Sequence, residues 1–453
     1  NDIAIVSYTS GTTGAPKGVI MTFDYLFDTS FRVLMPHPFE PFTKYVSCMP
    51  PAWMTEQSFG FTWSLVVPFV IYFPEDPETI LADIREVGAG FLAFGPRQYE
   101  SFVSMCQARI EDAGRIRKGI YELGMKFAEW KSNRQKSNFF LKFLNLVFYL
   151  ILFKKIADYL GLSKGKAALC GGSAMAPQVY SFFRRLGIDV RNTYGLSEVG
   201  LLCMHTGDDY NAETMGKWFV SHPKFGPPIE GKLAKNGELL VRGGSGFSGY
   251  YRNQEATEEA TKDGWYYTGD VLTISEMGDL VYLDRLKDIK YLKGGQIFAP
   301  QFIETRLRFS PYIKDGIVVG DESRDYPVAL INIDAEMTGK WAEKNNVVYS
   351  TFPDLSQNEK VINLIRNELK KINKLLGDQV KVKKFVNLTK ELDPDEAELT
   401  RTRKLKRNVL EETYKNLINE IYADKPEYAS IVPVKYRDGR VRNVEKKIII
   451  NDL

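Results

Sequence analysis

At 453 residues the chain is longer than one hydrophobic core usually organises, so at least two domains are expected. Its 44% hydrophobic and 26% charged content is that of a globular protein and excludes a disordered or fibrous class. A formal net charge of +3 leaves no nucleic-acid footprint, and Cys48, Cys106, Cys170 and Cys203 are scattered without a C-x-x-C pair, against a disulfide framework or zinc site. A reducing, cytoplasmic compartment fits this cysteine usage.

The chain opens on an apolar run, IAIVSY at 3–8, and a second, VIMT at 19–22, each with strand character. Between them residues 8–18 read YTSGTTGAPKG. A nucleotide P-loop would have G-x-x-x-x-G-K-[ST] opening a helix, whereas this loop joins strand to strand. Gly11 and Gly14 allow close backbone approach to a polyanion. The hydroxyls of Thr9, Ser10, Thr12 and Thr13 and the charge of Lys17 supply donors. Taken alone, the stretch is equally a hairpin with a solvated lysine.

These residues resemble the signature loop of the adenylate-forming superfamily: acyl-CoA synthetases, adenylation domains of peptide synthetases and firefly-type luciferases. The resemblance implies an α/β fold with a large, multi-subdomain N-terminal domain and a small mobile C-terminal α/β domain. In that family a long segment precedes the loop, which here lies within ten residues of Asn1. The implied chain is the C-terminal portion of such a protein, its large domain truncated.

Downstream, TKYVSCMPPAWMTEQS at 43–58 is a strand ending in a Pro-Pro turn. Trp53 after it reads as a packing residue or, by the resemblance, as the gate of an acyl pocket. A helix is expected over 78–87, and FLAFGPR at 91–97 resembles a strand-Pro-Arg element of long-chain acyl-CoA synthetases. Residues 99–136 read as a solvated helix pair. The fifteen residues FFLKFLNLVFYLILF at 139–153 fall short of the ~20 needed to span a bilayer. So apolar a helix is ordinarily buried; the alternative is a peripheral membrane contact, since Lys136, Lys142, Lys154 and Lys155 flank or punctuate the run.

Two strand-end turns follow, LCGGSAMAP at 169–177 and VRNTYGLSE at 190–198. Each alone is an ordinary turn, but both occur at the family's spacing from the first loop. The resemblance implies that Gly171 borders the acyl pocket, and that Gly172, Ser173, Tyr194, Gly195 and Ser197 bind ATP and then AMP. Tyr194 would offer a face to adenine and Ser197, where the family usually has Thr, a hydroxyl to the α-phosphate. Glu198 supplies a hard oxygen ligand suited to Mg²⁺. From Gly216 short alternating strands indicate a small β subdomain, and Asn253 is placed to cap a helix over 254–262.

By the resemblance Asp270 accepts the ribose hydroxyls, Arg285 reaches the ribose and Lys287 is the hinge residue. The implied division is a large domain at 1–284, a hinge at 285–288 and a mobile domain at 289–453. Lys293, Gly294 and Gly295 would face the pantetheine of coenzyme A. In the last domain strands are expected over 316–320, 327–334 and 385–388, a helix capped by Ser356, and a final helix over 407–422. In ELTRTRKLKR at 398–407 the resemblance places the catalytic lysine at Lys404, with Lys406 as the alternative and Arg403 where a glycine often stands.

The function implied is activation of a long-chain fatty acid by ATP and transfer to coenzyme A, with ATP, Mg²⁺ and coenzyme A as its requirements. Lys404, Glu198 and Lys17 would stabilise charge on phosphorus. His37, His205 and His222 need no catalytic part. An aryl or medium-chain acid, a carrier-protein acceptor, or an inactive ATP-binding fragment are the alternatives.

Overall fold

A computed structural model describes residues 2–9, 16–132, 139–165, 167–207, 211–392, 398–399, 405–435 and 441–453. The chain divides into two compact units, Asn1–Leu286 and Lys287–Leu453. The architecture is mixed α/β, as expected.

In the first unit β1 (Ile3–Thr9) and β2 (Lys17–Thr22) pair antiparallel, with Thr9 opposite Lys17. Thr22 caps the helix Phe23–Leu34 that follows, its hydroxyl accepting from the Tyr25 N–H. A seven-stranded sheet packs nearby: β3 (Lys44–Val46), β4 (Val70–Tyr72), β5 (Phe91–Phe94), β6 (Ala167–Cys170), β7 (Val190–Leu196), β8 (Gly200–Met204) and β9 (Lys217–Trp218). Its order is β4-β3-β5-β6-β7-β8-β9, parallel up to β7 and antiparallel beyond. All four residues of β5 are buried, as a central parallel strand requires. Phe91 stacks on Trp63 and Tyr45 at ring-centroid distances of 5.3 and 5.4 Å.

The small β subdomain is a five-stranded sheet of β10 (Glu230–Leu233), β11 (Glu238–Arg242), β12 (Thr261–Lys262), β13 (Trp265–Ile274) and β14 (Leu280–Arg285). Asn253 caps a helix that ends at Ala260, its side chain accepting from the Ala256 N–H. The expected last two residues of that helix, Thr261 and Lys262, pair with β13 instead.

Two expectations for the middle of the unit are corrected. The first helix of the supposedly solvated pair, Pro96–Glu111, is amphipathic and buries Tyr99, Phe102, Val103 and Cys106. Its Tyr99 hydroxyl donates to the Leu169 carbonyl of β6 at 3.0 Å. The most apolar run, 139–153, expected to be buried, is so only at its end: the helix Phe139–Phe148 has no buried residue, whereas Leu152 and Phe153 beyond it are buried. No helix among the described residues is long and apolar enough to cross a membrane.

The second unit holds a sheet in the order Ile313–Val319, Val328–Ile333, Lys384–Asn387, Asn451–Asp452, with apolar clusters on both faces. The helix Glu359–Asn373 starts at Asn358, which caps the Lys360 N–H; Ser356 instead ends the preceding turn of helix, Phe352–Ser356. The last helix is broken at Tyr414 into Arg407–Thr413 and Lys415–Tyr422.

One buried ion pair ties the first unit together. Arg32, 1% exposed, donates from Nη1 to the carbonyls of Val199 and Leu201 at 3.1 and 2.9 Å, and from Nη2 to Asp28. Asp28 accepts in turn from the backbone N–H groups of His222 and Ser245 at 3.3 and 3.0 Å. Replacing Arg32 by Ala strands the Asp28 carboxylate, and denaturant unfolding is expected to show a loss of about 3–5 kcal/mol.

Candidate active site

Strand β2 carries Lys17 and Gly18 out of the expected phosphate loop. A Cβ on Gly18 would lie 2.8 Å from Val6 Cγ1, so β1 and β2 close only around a glycine. On its other side β2 meets residues 249–251: the Ile20 N–H donates to the Gly249 carbonyl at 3.1 Å and the Tyr251 N–H to the Gly18 carbonyl at 2.7 Å. That pairing places the Tyr250 ring under Lys17, whose Nζ stands 5.1 Å from the ring centroid. The Tyr250 hydroxyl donates to Glu198 Oε1 at 3.0 Å. Burial, with the Glu198 carboxylate beside it, pushes this phenol up to about 12, so it remains a proton donor at neutral pH. Lys17 and Glu198, separated by most of the first unit in sequence, therefore meet on one tyrosine.

Glu198 is held from behind. The Tyr25 hydroxyl donates to the Ser197 carbonyl at 2.8 Å, and Gly200, at φ 74°, leaves no room for a Cβ, which would stand 2.2 Å from Thr29 Oγ1. The turn is thus pressed onto the helix Phe23–Leu34. Gly195 is equally constrained, because its Cβ would lie 2.4 Å from the Gly200 carbonyl oxygen at the β7–β8 bulge.

Strands β6 and β7 are neighbours, with Cys170 opposite Asn192, so Gly171–Gly172–Ser173 leaves the sheet where β7 runs on through Tyr194 and Gly195, expected as a turn but in fact strand, to the turn that carries Glu198. This is the carboxyl end of parallel strands, where open α/β sheets bind ligands. Gly171 packs against Thr193, but Gly172, at φ 87°, has open space where a side chain would stand. Its backbone can therefore meet a ligand.

Tyr194, Asp270 and Arg285 form a second cluster. The Tyr194 hydroxyl donates to Asp270 Oδ2 at 2.6 Å, and Arg285 Nε lies 3.0 Å from Asp270 Oδ1. Burial raises the Asp270 carboxyl above the ordinary carboxylate range against the pull of the Arg285 guanidinium. The ion pair lacks hydrogen-bonding alignment, and Oδ1 has no hydrogen-bond partner among the described residues. The oxygens expected to receive two ribose hydroxyls are thus unequal, Oδ2 engaged by Tyr194 and Oδ1 buried beside the Arg285 guanidinium. Tyr194 itself is buried in the core between β7 and the small β sheet, so its ring has a packing role besides any offered to a base.

Trp53 stands 45% exposed on the Pro-Pro turn. That turn is fixed by the buried Glu56, which accepts from the Tyr45 and Ser47 hydroxyls at 2.7 and 2.6 Å. In the second unit Lys293, Gly294 and Gly295 form a turn between two short strands, with φ of 93° and 81° at the glycines. Ser10, Gly11, Thr12, Thr13, Gly14 and Lys404 lie outside the described residues. Lys406 is exposed at the start of the helix Arg407–Thr413, its N–H donating to the Glu398 carbonyl at 2.9 Å. Next to it Arg407 is locked to both carboxylate oxygens of Glu304 at 2.8 Å each.

The AMP-binding enzyme family model matches residues 1–251, more than half of the chain. The chain belongs to the AMP-binding enzyme family. The family's C-terminal domain model matches residues 287–426. The chain is 30% identical over 431 residues to the long-chain-fatty-acid–CoA ligase FadD15 of Mycobacterium bovis, covering 93% of this chain and 69% of that one. To the peroxisomal long chain acyl-CoA synthetase 7 of Arabidopsis thaliana it is 27% identical, over 93% of this chain and 61% of the other. Among solved structures, the adenylation domain of a carboxylate reductase from Mycobacterium chelonae superposes with a TM-score of 0.67 at 20% identity, covering 93% of this chain and 60% of that one. The o-succinylbenzoate coenzyme A synthetase of Bacillus subtilis, in complex with AMP, gives 0.59 at 18% identity, over 90% and 69%. At such identities these neighbours share the adenylate-forming fold. The chain spans roughly three fifths to two thirds of the length of these relatives.

Tyr250 and Tyr25 were not anticipated from sequence. A GYY triplet in a glycine-rich segment carries no pattern that announces a partner fifty residues away. His205, for which no catalytic part was expected, is fully buried beneath the site: Nδ1 accepts from the Asn192 N–H at 3.0 Å and Nε2 donates to the Thr214 carbonyl at 2.7 Å. Burial depresses its pKa from 6.5 to about 4. The unfolded chain therefore takes up a proton that the folded one refuses, and the stability His205 confers is complete above pH 6.5 and is lost as pH falls toward 4. At pH 5 the loss is expected to be about 2 kcal/mol, and His205→Gln should flatten that part of the stability–pH curve in chemical denaturation.

Proposed function

We propose that the chain catalyses ATP-dependent activation of a long-chain fatty acid to its acyl-adenylate, followed by transfer to coenzyme A with release of AMP. The observation that carries this reading is the meeting of Lys17 and Glu198 on Tyr250, beside the Gly171–Ser173 turn. Two relatives named as long-chain ligases or synthetases support the acid class.

In this reading the acid's carboxylate oxygen attacks the α-phosphorus of ATP and pyrophosphate leaves, so no side-chain nucleophile is required. Lys17 neutralises the departing phosphates, and the Gly172 backbone and Ser173 and Ser197 hydroxyls orient the α-phosphate. Asp270 accepts the ribose hydroxyls while Arg285 holds the same sugar. Lys404 meets the charge that develops on phosphorus. Among the described residues no three carboxylate, His or Cys groups cluster as a metal cage, which suits Mg²⁺: it is bound by one or two carboxylates together with substrate phosphates. Glu198, oriented by the Tyr250 hydroxyl, would hold it, and the ion would supply positive charge against the phosphates. Lys287 serves as the pivot between the half-reactions, and Lys293, Gly294 and Gly295 meet coenzyme A in the second. Trp53 and Gly171 border the acyl chain.

The likeness to a carboxylate reductase domain and an o-succinylbenzoate ligase sustains a second reading, in which the acid is aryl or shorter. Pyrophosphate release from ATP with medium-chain, long-chain and aryl acids separates the two; silence with every acid would sink both and leave an ATP-binding fragment. Lys404→Ala should lower adenylate formation on the order of a hundred- to a thousandfold while sparing thioester formation from supplied acyl-adenylate; equal loss of both half-reactions would overturn that role. Tyr250→Phe should raise the Mg²⁺ concentration for half-maximal pyrophosphate release by about tenfold, because Glu198 loses the donor that orients it. An unchanged Mg²⁺ dependence would make Tyr250 a packing residue only.

A further inference from the structure

The helix Phe139–Phe148 and its continuation Tyr149–Phe153 leave a large apolar face in solvent. Phe139 is 86% exposed, and Phe140, Phe143, Leu146, Leu150 and Ile151 are exposed with it. Phe139, Phe143, Leu146 and Leu150 recur at helical spacing, so they line one stripe rather than scatter. The neighbouring helix Arg115–Ser132 repeats the pattern with Ile116, Leu123 and Trp130 exposed. The two helices are joined through their other faces. A Cβ on Gly124 would come 2.6 Å from Leu152 Cδ2, and Phe127 stacks on Phe148 at 5.1 Å. The pair thus has its own inner seam and presents its remaining apolar surface outward, a patch of the kind that marks an interaction site.

The charges around this face indicate what covers it. From Phe139 to Ala157 there is no acidic residue, while Lys142, Lys154 and Lys155 are exposed. Lys142 lies one turn from both Phe139 and Leu146, where its long side chain can reach past the apolar stripe to a polar layer. On the other helix Arg115, Arg117 and Lys126 are exposed and outnumber the exposed Glu122, while Glu129 is drawn aside to Arg185 at 3.2 Å. A second copy of the chain would set this cationic face against itself in a two-fold interface. A layer that is apolar inside and anionic at its surface satisfies both features at once.

We propose that this helix pair is a membrane-docking surface that lies in the interface of an anionic lipid bilayer, with the aromatic stripe among the acyl chains and the lysines at the headgroups. It binds on the surface and does not span. The inference rests on the helix pair alone, so it stands or falls separately from the activity proposed above.

The test is flotation of the whole chain with phosphatidylcholine vesicles, with and without phosphatidylserine, at low and high salt. The chain is expected to float with the anionic vesicles, and more weakly with neutral vesicles or at high salt. Phe139→Ser with Phe143→Ser should weaken binding about a hundredfold, since each removes about a tenfold contribution from buried apolar surface. Both side chains are exposed, so the thermal transition should not move, and a shifted transition would be met by testing Leu146→Ser alone. Lys142→Glu should cost about fivefold at low salt and little at high salt. The proposal is overturned if the parent chain ignores anionic vesicles, if the double variant floats equally well, or if the parent forms a dimer that the double variant dissolves without any vesicle binding.

Discussion

The buried Asp28–Arg32 pair is the constraint on which the first unit depends. Two charges one helical turn apart are removed from water, which is tolerable because most of their remaining hydrogen-bonding directions find backbone partners, Arg32 Nε being the exception among the described residues. Those partners are the carbonyls of Val199 and Leu201 on one side and the N–H groups of His222 and Ser245 on the other. The helix Phe23–Leu34, which continues directly from β2, is thereby fixed to the turn that carries Glu198 and to the segment that leads to Tyr250. A charge pair contributing little net stability can still set geometry, since any displacement leaves a buried charge without its partner.

From that fixed frame the site follows by short steps. Backbone pairing of β2 with residues 249–251 sets Tyr250 beneath Lys17, and the Tyr25 hydroxyl and the glycine at 200 hold the Glu198 turn in reach of Tyr250. The ribose-binding candidates are arranged by a different device: Asp270 and Arg285 face one another on the paired strands β13 and β14, and Tyr194 reaches them from the large sheet. In the second unit, Arg407 performs the analogous anchoring. Its bidentate contact with Glu304 secures the chain immediately after the basic run.

The helix pair at 115–153 follows another logic. It packs through Gly124, Phe127 and Phe148, and the residues left over are as apolar as those used. A composition that would suit a core helix here makes a surface.

Much of this was legible in the sequence. The two strands within residues 3–22, the strand end at Cys170, the β subdomain after Gly216 and the Asn253 cap all depend on local patterns: alternation, glycine punctuation and capping oxygens act within a few residues. So does membership of the AMP-binding enzyme family, since its loop is contiguous. Errors arose where burial decides. Periodicity cannot say whether the helix at 139–148 faces a core or solvent, or that Pro96–Glu111 buries one side. Nor can it say that Asn358 rather than Ser356 captures a helix start, because burial is set by elements far away in the chain. Tyr250, Tyr25 and His205 were silent for the same reason. A phenol or imidazole acquires its task only when folding brings a carboxylate, a carbonyl or an N–H within 3 Å and excludes the water that would otherwise compete for it.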